Sequence, residues 1–176
     1  MQKIYDFKIS PFIYEKLGVE NKFPVLNTCP ACKANVILKR HGFYYRNIYL
    51  LKRNLRIPIC RYYCPSCQKT TSLLPIFLIP YYQLPLKLIF TAIKEKILHG
   101  KNIFSLVRQH LSFLKKRFFK NLNIMEAFFR DLKFKDFIPK DINKKAMKIV
   151  KMIWVSPEET FSRKFFHHFS RSFMTP

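Results

Sequence analysis

The sequence predicts an α+β protein in which a small antiparallel sheet is followed by an α-helical region. Two C-P-x-C motifs, Cys29–Cys32 and Cys64–Cys67, bracket a segment rich in β-branched and aromatic residues. Such segments favour short strands. Beyond residue 85, apolar side chains recur at helical spacing instead. We therefore divide the chain into a lead-in (1–24), a sheet region (25–80), a helical region (81–135) and C-terminal helices (136–176).

The four motif cysteines, Cys29, Cys32, Cys64 and Cys67, are candidate metal ligands. Each C-x-x-C turn presents two sulfurs to one ion, and a tetrahedral Zn²⁺ needs two such pairs. The sheet region is therefore predicted to be a Cys₄ zinc ribbon with Zn²⁺ as its cofactor. Closed Cys₄ sites are usually structural and perform no chemistry. Disulfides, a redox pair or cysteines without metal are the alternatives.

The strand pattern from Leu55 to Tyr63 contains a fifth cysteine, Cys60, which is interpreted either as a small hydrophobe or as an alternative ligand. Pro58 cannot donate to a strand ladder, so it predicts an edge or a bulge. His41 and Gly42 form a turn signal before an earlier predicted strand, Phe43–Leu51. His41 is a turn residue or, alternatively, a ligand. In the lead-in we expect one helical turn over Phe12–Leu17.

The helical region resembles a helix-turn-helix in outline. A first helix is predicted from Pro85 to Gly100, and a short one from Ile103 to His110. After a tight turn, Ser112 is predicted to cap a helix over 113–132. Its apolar stripe consists of Phe118, Leu122, Met125 and Phe129. Two ordinary packed helices with a solvated basic face are the alternative.

Two further helices are expected near the C-terminus. Asp141 or Asn143 is a candidate cap for a helix ending at Trp154. Residues 156–159 then have the pattern of a helix start, with a stripe of Phe161, Phe165 and Phe169 after it. His167 and His168 are adjacent, which suits surface residues better than a chelating pair.

The charge distribution indicates a polyanionic partner. The formal net charge is +23, with 33 basic against 10 acidic residues, and no Asp or Glu occurs between Glu20 and Glu95. Such an excess destabilises a compact fold unless counterions or a polyanion are nearby. Nucleic acid, and DNA in particular, is the partner we expect. The candidate contacts are Arg46, Arg56, Arg61, Lys115, Lys116, Arg117 and Lys120.

Tyr44, Tyr45 and Tyr62 lie among the ribbon arginines and could stack on unpaired bases, or else pack across strands.

A zinc-stabilised structural or protein-interaction module with no nucleic-acid role is the second hypothesis. Binding of RNA or of a membrane surface through basic and aromatic residues is the third.

Several function classes are excluded by the sequence. No segment is long and apolar enough to span a membrane, and the N-terminal residues lack the pattern of a secretory signal. Five cysteines with two metal-like pairs fit a reducing compartment, so a cytoplasmic location is expected. Three glycines allow no Gly-rich phosphate loop, and the acids do not suit a two-metal nuclease. We predict that the protein is not an enzyme.

Five segments together, CPAC, HGFYYR, IPICRYYCPSCQKT, SLLPIFLIPYYQL and FLKKRFFKNL, carry a family resemblance. They resemble the zinc-ribbon plus helix-turn-helix N-terminal region of bacterial insertion-sequence transposases. The sequence is more similar still to short, uncharacterised transposase-like proteins from low-GC bacteria, known only as a domain of unknown function. The resemblance covers residues 25–130.

The resemblance implies a transposase-derived DNA-binding protein without the catalytic domain, with the four motif cysteines as zinc ligands. The sequence departs from the family pattern at Lys33 and Gln68, where a glycine is usual, and at Thr71, where a Phe is usual. It also lacks the small residue before the turn and the Trp-Arg pair of the helix-turn-helix.

Overall fold

The computed structural model describes residues 1–102, 108–155 and 158–175. The chain forms two compact units, Met1–Leu84 and Pro85–Pro176. The first contains the strands and the second is helical in its described part, which confirms the α+β prediction. The elements are β1 (Gln2–Tyr5), α1 (Pro11–Leu17) with a 3₁₀ turn (Gly18–Glu20), β2 (Lys39–Tyr49), β3 (Asn54–Tyr63), β4 (Thr70–Pro75), α2 (Leu86–Leu98), α3 (Arg108–Lys120), α4 (Leu122–Asp131), α5 (Ile142–Trp154) and α6 (Glu158–Phe169).

The four strands form one mixed sheet in the order β1-β4-β3-β2. The β2–β3 and β3–β4 pairs are antiparallel, but β1 pairs with β4 in parallel, from Gln2↔Ser72 to Tyr5↔Pro75. The expectation of a purely antiparallel sheet is therefore wrong. Strand β1 lies in the predicted lead-in, where four residues give too short a pattern to reveal a partner seventy positions away.

Gly42 lies inside β2 and not in a turn, so the turn expected at His41-Gly42 is wrong. Arg40 pairs with Tyr62 and Gly42 with Arg61, which leaves His41 as the extra residue of a β-bulge. Gly42 has φ +105°, a conformation that glycine adopts without a Cβ clash. Gly42, which suggested a turn in the sequence, is therefore part of a β-bulge in the structure.

Pro58 lies opposite Tyr45 of β2, in a part of β3 that β4 does not reach, because β4 pairs only with Cys60–Tyr63. Strand β3 therefore tolerates Pro58, which has no backbone N–H to donate to a second neighbouring strand. The carbonyl oxygen of Pro58 accepts a hydrogen bond from the hydroxyl of Tyr14 at 3.0 Å. Tyr14 is fully buried on α1, and burial raises the pKa of its phenol. The lead-in is thus part of the core.

The apolar stripes of the helical unit are confirmed, but two helix boundaries are not. Phe118, Leu122, Met125 and Phe129 are all buried as predicted. Ser112, however, lies within α3, which continues through the position of the expected turn. The predicted helix over 113–132 is also interrupted at Asn121. The helix-turn-helix outline is therefore absent from the described residues, and part of its expected short helix, 103–107, lies outside them.

Asn121 explains the interruption between α3 and α4. Its side-chain Nδ2 donates to the carbonyls of Arg117 and Thr175, at 2.9 and 3.0 Å. Its Oδ1 accepts from the guanidinium of Arg171 at 2.9 Å. Because Asn121 is buried, these hydrogen bonds satisfy an amide that water does not reach. They connect the α3–α4 junction to the segment after α6.

The C-terminal helices agree with the sequence patterns where they are described. The Asp141 carboxylate caps α5 by accepting from the amide of Lys144 at 2.8 Å. Phe161 and Phe165 of α6 are buried and Phe169 is half-buried, while His167 and His168 are exposed. The expected cap at residues 156 and 157 lies outside the described residues.

We expect Glu126→Gln to lower the free energy of unfolding of the helical unit by about 1–3 kcal/mol at pH 7. Glu126 is 8% exposed; Lys145 donates to its Oε2 at 2.7 Å, and Arg130 contacts its Oε1. The Lys145 hydrogen bond lowers the carboxyl pKa, although burial opposes it. This stabilisation exists above the unfolded-state pKa and is lost as pH falls through the folded-state pKa.

Urea unfolding followed by fluorescence of Trp154, the single tryptophan, measures this effect. Trp154 is stacked on Phe90 in this unit. The control is Asp131→Asn, because Asp131 pairs with His168 at the surface and should contribute well under 1 kcal/mol. Equal losses in the two variants at pH 7 would contradict the prediction.

Candidate functional site

The two C-P-x-C turns have the same backbone structure. The amide of Lys33 donates to the carbonyl of Cys29 at 2.9 Å, and that of Gln68 donates to Cys64 at 2.9 Å. Conversely, the Cys29 amide donates to Ala34, and the Cys64 amide to Lys69, each at 3.0 Å. The turns lie near the open end of the β2–β3 hairpin, where Lys39 pairs with Tyr63.

Lys33 and Gln68 occupy equivalent positions in these turns, with φ of +63° and +59°. This left-handed conformation brings Cβ close to the following carbonyl, so glycine adopts it most easily. The geometry therefore explains why a glycine is expected at this position of each turn. Here two long side chains occupy it at some cost in conformational energy.

The four motif sulfurs converge to within 4.8 Å of one another. The Sγ atoms of Cys29 and Cys67 are 3.7 Å apart, and those of Cys32 and Cys64 are 3.9 Å apart. A tetrahedron with Zn–S bonds of about 2.3 Å has edges of about 3.8 Å. A disulfide requires about 2.05 Å. The cysteines therefore have the geometry of a four-thiolate metal site, and thiolates suit soft or borderline ions such as Zn²⁺.

The turns also favour ionisation of one thiol. Burial opposes ionisation of Cys29, but hydrogen bonds from the amides of Cys32 and Ala31, and from neighbouring thiols, lower its pKa to about 6. The amide of Lys69 favours the Cys67 thiolate, yet burial and hydrogen bonds with the other sulfurs raise its pKa to about 11. Four thiolates at these distances therefore need a cation between them.

Cys60 and His41 lie apart from this cluster. Cys60 is buried on β3 with its Sγ 3.8 Å from the carbonyl oxygen of Arg61, and burial raises the pKa of its thiol. His41 is exposed in the β2 bulge. The structure supports the interpretation of Cys60 as a small buried hydrophobe and gives His41 no position among the four sulfurs.

The candidate arginines of the sheet differ in their surroundings. Arg46 is half-buried, and its guanidinium donates to the carbonyls of Ile79, at 3.1 Å, and of Tyr82. Burial lowers its pKa. Arg56 is exposed, with its guanidinium carbon 5.1 Å from the centre of the Tyr45 ring. Arg61 is half-buried. Arg56 therefore has the most accessible charge of the three.

The tyrosines beside these arginines also differ. Tyr45 is 55% exposed and Tyr44 is half-buried. Tyr62 is buried, and its hydroxyl donates to the carbonyl of Pro24 at 2.6 Å. Tyr62 therefore packs within the unit and offers no face to a base.

The candidate residues of α3 form one basic surface with two phenylalanines. Lys115 lies over the ring of Phe119, and Arg117 lies over that of Phe113, each with its cationic group 5.2 Å from the ring centre. Lys116 and Lys120 are exposed. Lys96 of α2 and Arg108 of α3 line the same surface. These two residues are not among the contacts predicted from the sequence. Lys96 belongs to another helix, so the pattern of α3 alone could not indicate it.

A family model described as "Domain of unknown function (DUF6431)" matches residues 29–105, which include all four motif cysteines. This agrees with the resemblance to a domain of unknown function, and it carries no link to transposases. Neither the curated proteins nor the solved structures contain a match.

We expect Cys64→Ser to abolish metal binding and unfold the N-terminal unit. A structural zinc site contributes on the order of 10–16 kcal/mol of apparent binding energy at neutral pH, which is comparable to the whole stability of a domain. Zinc content per chain and far-UV circular dichroism measure the outcome. Cys60→Ala is the matched control, since Cys60 is a buried cysteine outside the cluster. Zinc retained by Cys64→Ser, or lost by Cys60→Ala, would contradict the assignment.

We expect the double variant Lys33→Gly, Gln68→Gly to be more stable than the parent by about 1–2 kcal/mol. Each substitution removes left-handed strain of about 1–2 kcal/mol, partly offset by the greater chain entropy of glycine. The zinc-loaded melting temperature measures this. Lys69→Gly is the control, because Lys69 lies outside the left-handed region, so glycine should destabilise there. A double variant no more stable than the parent would refute the explanation.

Proposed function

We propose that this protein is a zinc-dependent DNA-binding protein in which Zn²⁺ has a structural role. The observation that carries the proposal is the convergence of four sulfurs from two equivalent turns into a tetrahedral arrangement. Cys29, Cys32, Cys64 and Cys67 would hold the ion. Four protein ligands leave no open position for water or substrate, which is typical of structural sites.

The DNA-binding part of the proposal is supported by how the acidic residues are used. Glu15 accepts from the guanidinium of Arg53 at 2.6 Å and from the backbone amide of Arg56 at 3.0 Å. Glu126 and Asp136 pair with lysines, and Asp141 caps a helix. These carboxylates contact neighbouring groups within the fold. With all ten acidic residues counted, the chain still has a net charge of +23. Phosphate groups are the natural counterions for such a surface.

Two sets of cations are the proposed phosphate contacts. Arg56 and Arg61 belong to the zinc-bearing unit, and Lys115, Lys116, Arg117 and Lys120 belong to α3 of the helical unit. Arg46 is left out because its guanidinium already donates to two carbonyls. A transposase-derived origin, the lack of enzymatic activity and a cytoplasmic location stay predictions.

We expect the zinc-loaded protein to bind labelled duplex DNA with a steep dependence on salt. If about six phosphates are contacted, affinity should fall about 10³-fold between about 50 and 200 mM salt. Fluorescence anisotropy across a salt series measures this. Zinc chelation should weaken binding and reduce the salt slope, because the contacts of the N-terminal unit are lost.

The opposite results have distinct meanings. An absence of binding at low salt would refute the proposal. The excess of basic residues would then reflect amino-acid composition and not a nucleic-acid partner. Binding that is indifferent to salt would also refute it and would favour an apolar interaction, as in a protein-interaction module.

A further inference from the structure

We propose that the outward surface of α3 binds single-stranded nucleic acid, with phosphates held between α3 and the end of α2 and bases stacked on Phe113 and Phe119. The proposal rests on the proposed nucleic-acid function and names the site and the strand form that are recognised. All residues of the proposed site lie in the helical unit.

A cleft of about 450 Å³ lies between the C-terminal part of α2 and α3. Arg108, Ser112, Lys115 and Phe119 line it from α3 and are spaced i, i+4, i+7 and i+11, so they form one stripe of the helix. The neighbouring stripe, Leu111, Leu114 and Phe118, is buried in the unit. Packing of the apolar stripe therefore fixes the direction in which the basic stripe faces.

The charged groups of this cleft are all hydrogen-bond donors, and the Ser112 hydroxyl can donate or accept. Lys96 Nζ donates to Asn102 Oδ1 at 2.8 Å, so the amide oxygen already has a donor within the protein, while the amide Nδ2 can donate. Lys115, Lys116 and Arg108 have donors only, and the described residues that line the cleft include no carboxylate. A ligand that fits must supply acceptors and negative charge. Phosphodiester oxygens do both.

A second concavity of about 290 Å³ adjoins the first, since Lys116 lines both. Phe113, Arg117 and Lys120 complete its lining. Each concavity therefore combines one phenyl ring with at least two cations. Phe113 is 43% exposed and Phe119 is half-buried, so both rings reach the surface.

This combination favours a single strand over a duplex. Proteins that bind single strands combine a basic groove with aromatic rings on which unpaired bases stack. In a duplex the base faces are covered by neighbouring base pairs, so the phenyl rings would find no partner. Phe113 and Phe119 are six residues apart, about 9 Å along the helix axis, which leaves room for separate bases.

The test compares three variants by fluorescence anisotropy against oligothymidine of about 16 nucleotides, the upper end of known site sizes. Phe113→Leu with Phe119→Leu removes the rings but keeps apolar volume. Lys115→Gln with Lys116→Gln removes cleft charge. Lys144→Gln with Lys151→Gln on α5 is the matched control, because both lysines are exposed and outside the two concavities. Trp154 fluorescence verifies that each variant is folded.

We expect the phenylalanine variant to lose about 5- to 150-fold in affinity per ring for the single strand, with little change for duplex DNA. The lysine variant should reduce the salt slope by about 0.7 per lysine on single strands. The control pair should bind the oligonucleotide like the parent protein.

Three outcomes would overturn the proposal. If the α3 variants bind the single strand as the control does, while the parent binds duplex DNA with steep salt dependence, this inference fails and the proposed function stands. If the parent binds neither form at about 50 mM salt, both fail. If the α3 variants lose binding to phosphatidylserine vesicles but the parent binds no nucleic acid, the surface recognises lipid instead, and both fail again.

Discussion

The meeting of two cysteine turns near the open end of the β2–β3 hairpin is the constraint on which the N-terminal unit depends. The hairpin register brings Lys39 opposite Tyr63 and so positions Cys29–Cys32 close to Cys64–Cys67. Four thiols this close cannot all ionise unless a cation neutralises them. Binding of a metal ion by these four cysteines would therefore be coupled to formation of the hairpin, as in other small metal-stabilised folds. A bound metal would add to the stability that the strand pairing and the apolar core of this unit provide.

The second constraint is electrostatic, and it acts on both units. Glu15 and Glu126 each contact more than one donor, so the few acids cross-link elements and do not dilute the positive charge of the surface. Self-repulsion among the remaining cations lowers the stability of the compact state. A bound polyanion relieves this repulsion. Because a ligand that binds the folded state stabilises it, any polyanion bound by the folded chain would also raise its stability.

The sequence predicted those features whose cause is local. The cysteine spacing identified the tetrad because a C-x-x-C turn needs only its own residues, and helical periodicity identified the stripe that includes Phe118. Features with distant causes were missed. Strand β1 depends on pairing with β4, and the break at Asn121 depends on a hydrogen bond to Thr175. Ser112 has the chemistry of a cap, but the packing of Leu111 and Leu114 extends the helix through it.

The parallel pairing of β1 with β4 sets the order of events during synthesis. Gln2 emerges from the ribosome first, but its partner Ser72 follows seventy residues later, which takes roughly 4–14 s at typical elongation rates. Throughout this time β1 has no partner strand. The fourth cysteine, Cys67, emerges only three residues before β4 begins. Convergence of the four sulfurs and closure of the sheet therefore become possible at almost the same moment, so a metal ion held by these cysteines would be acquired as the last strand joins the sheet.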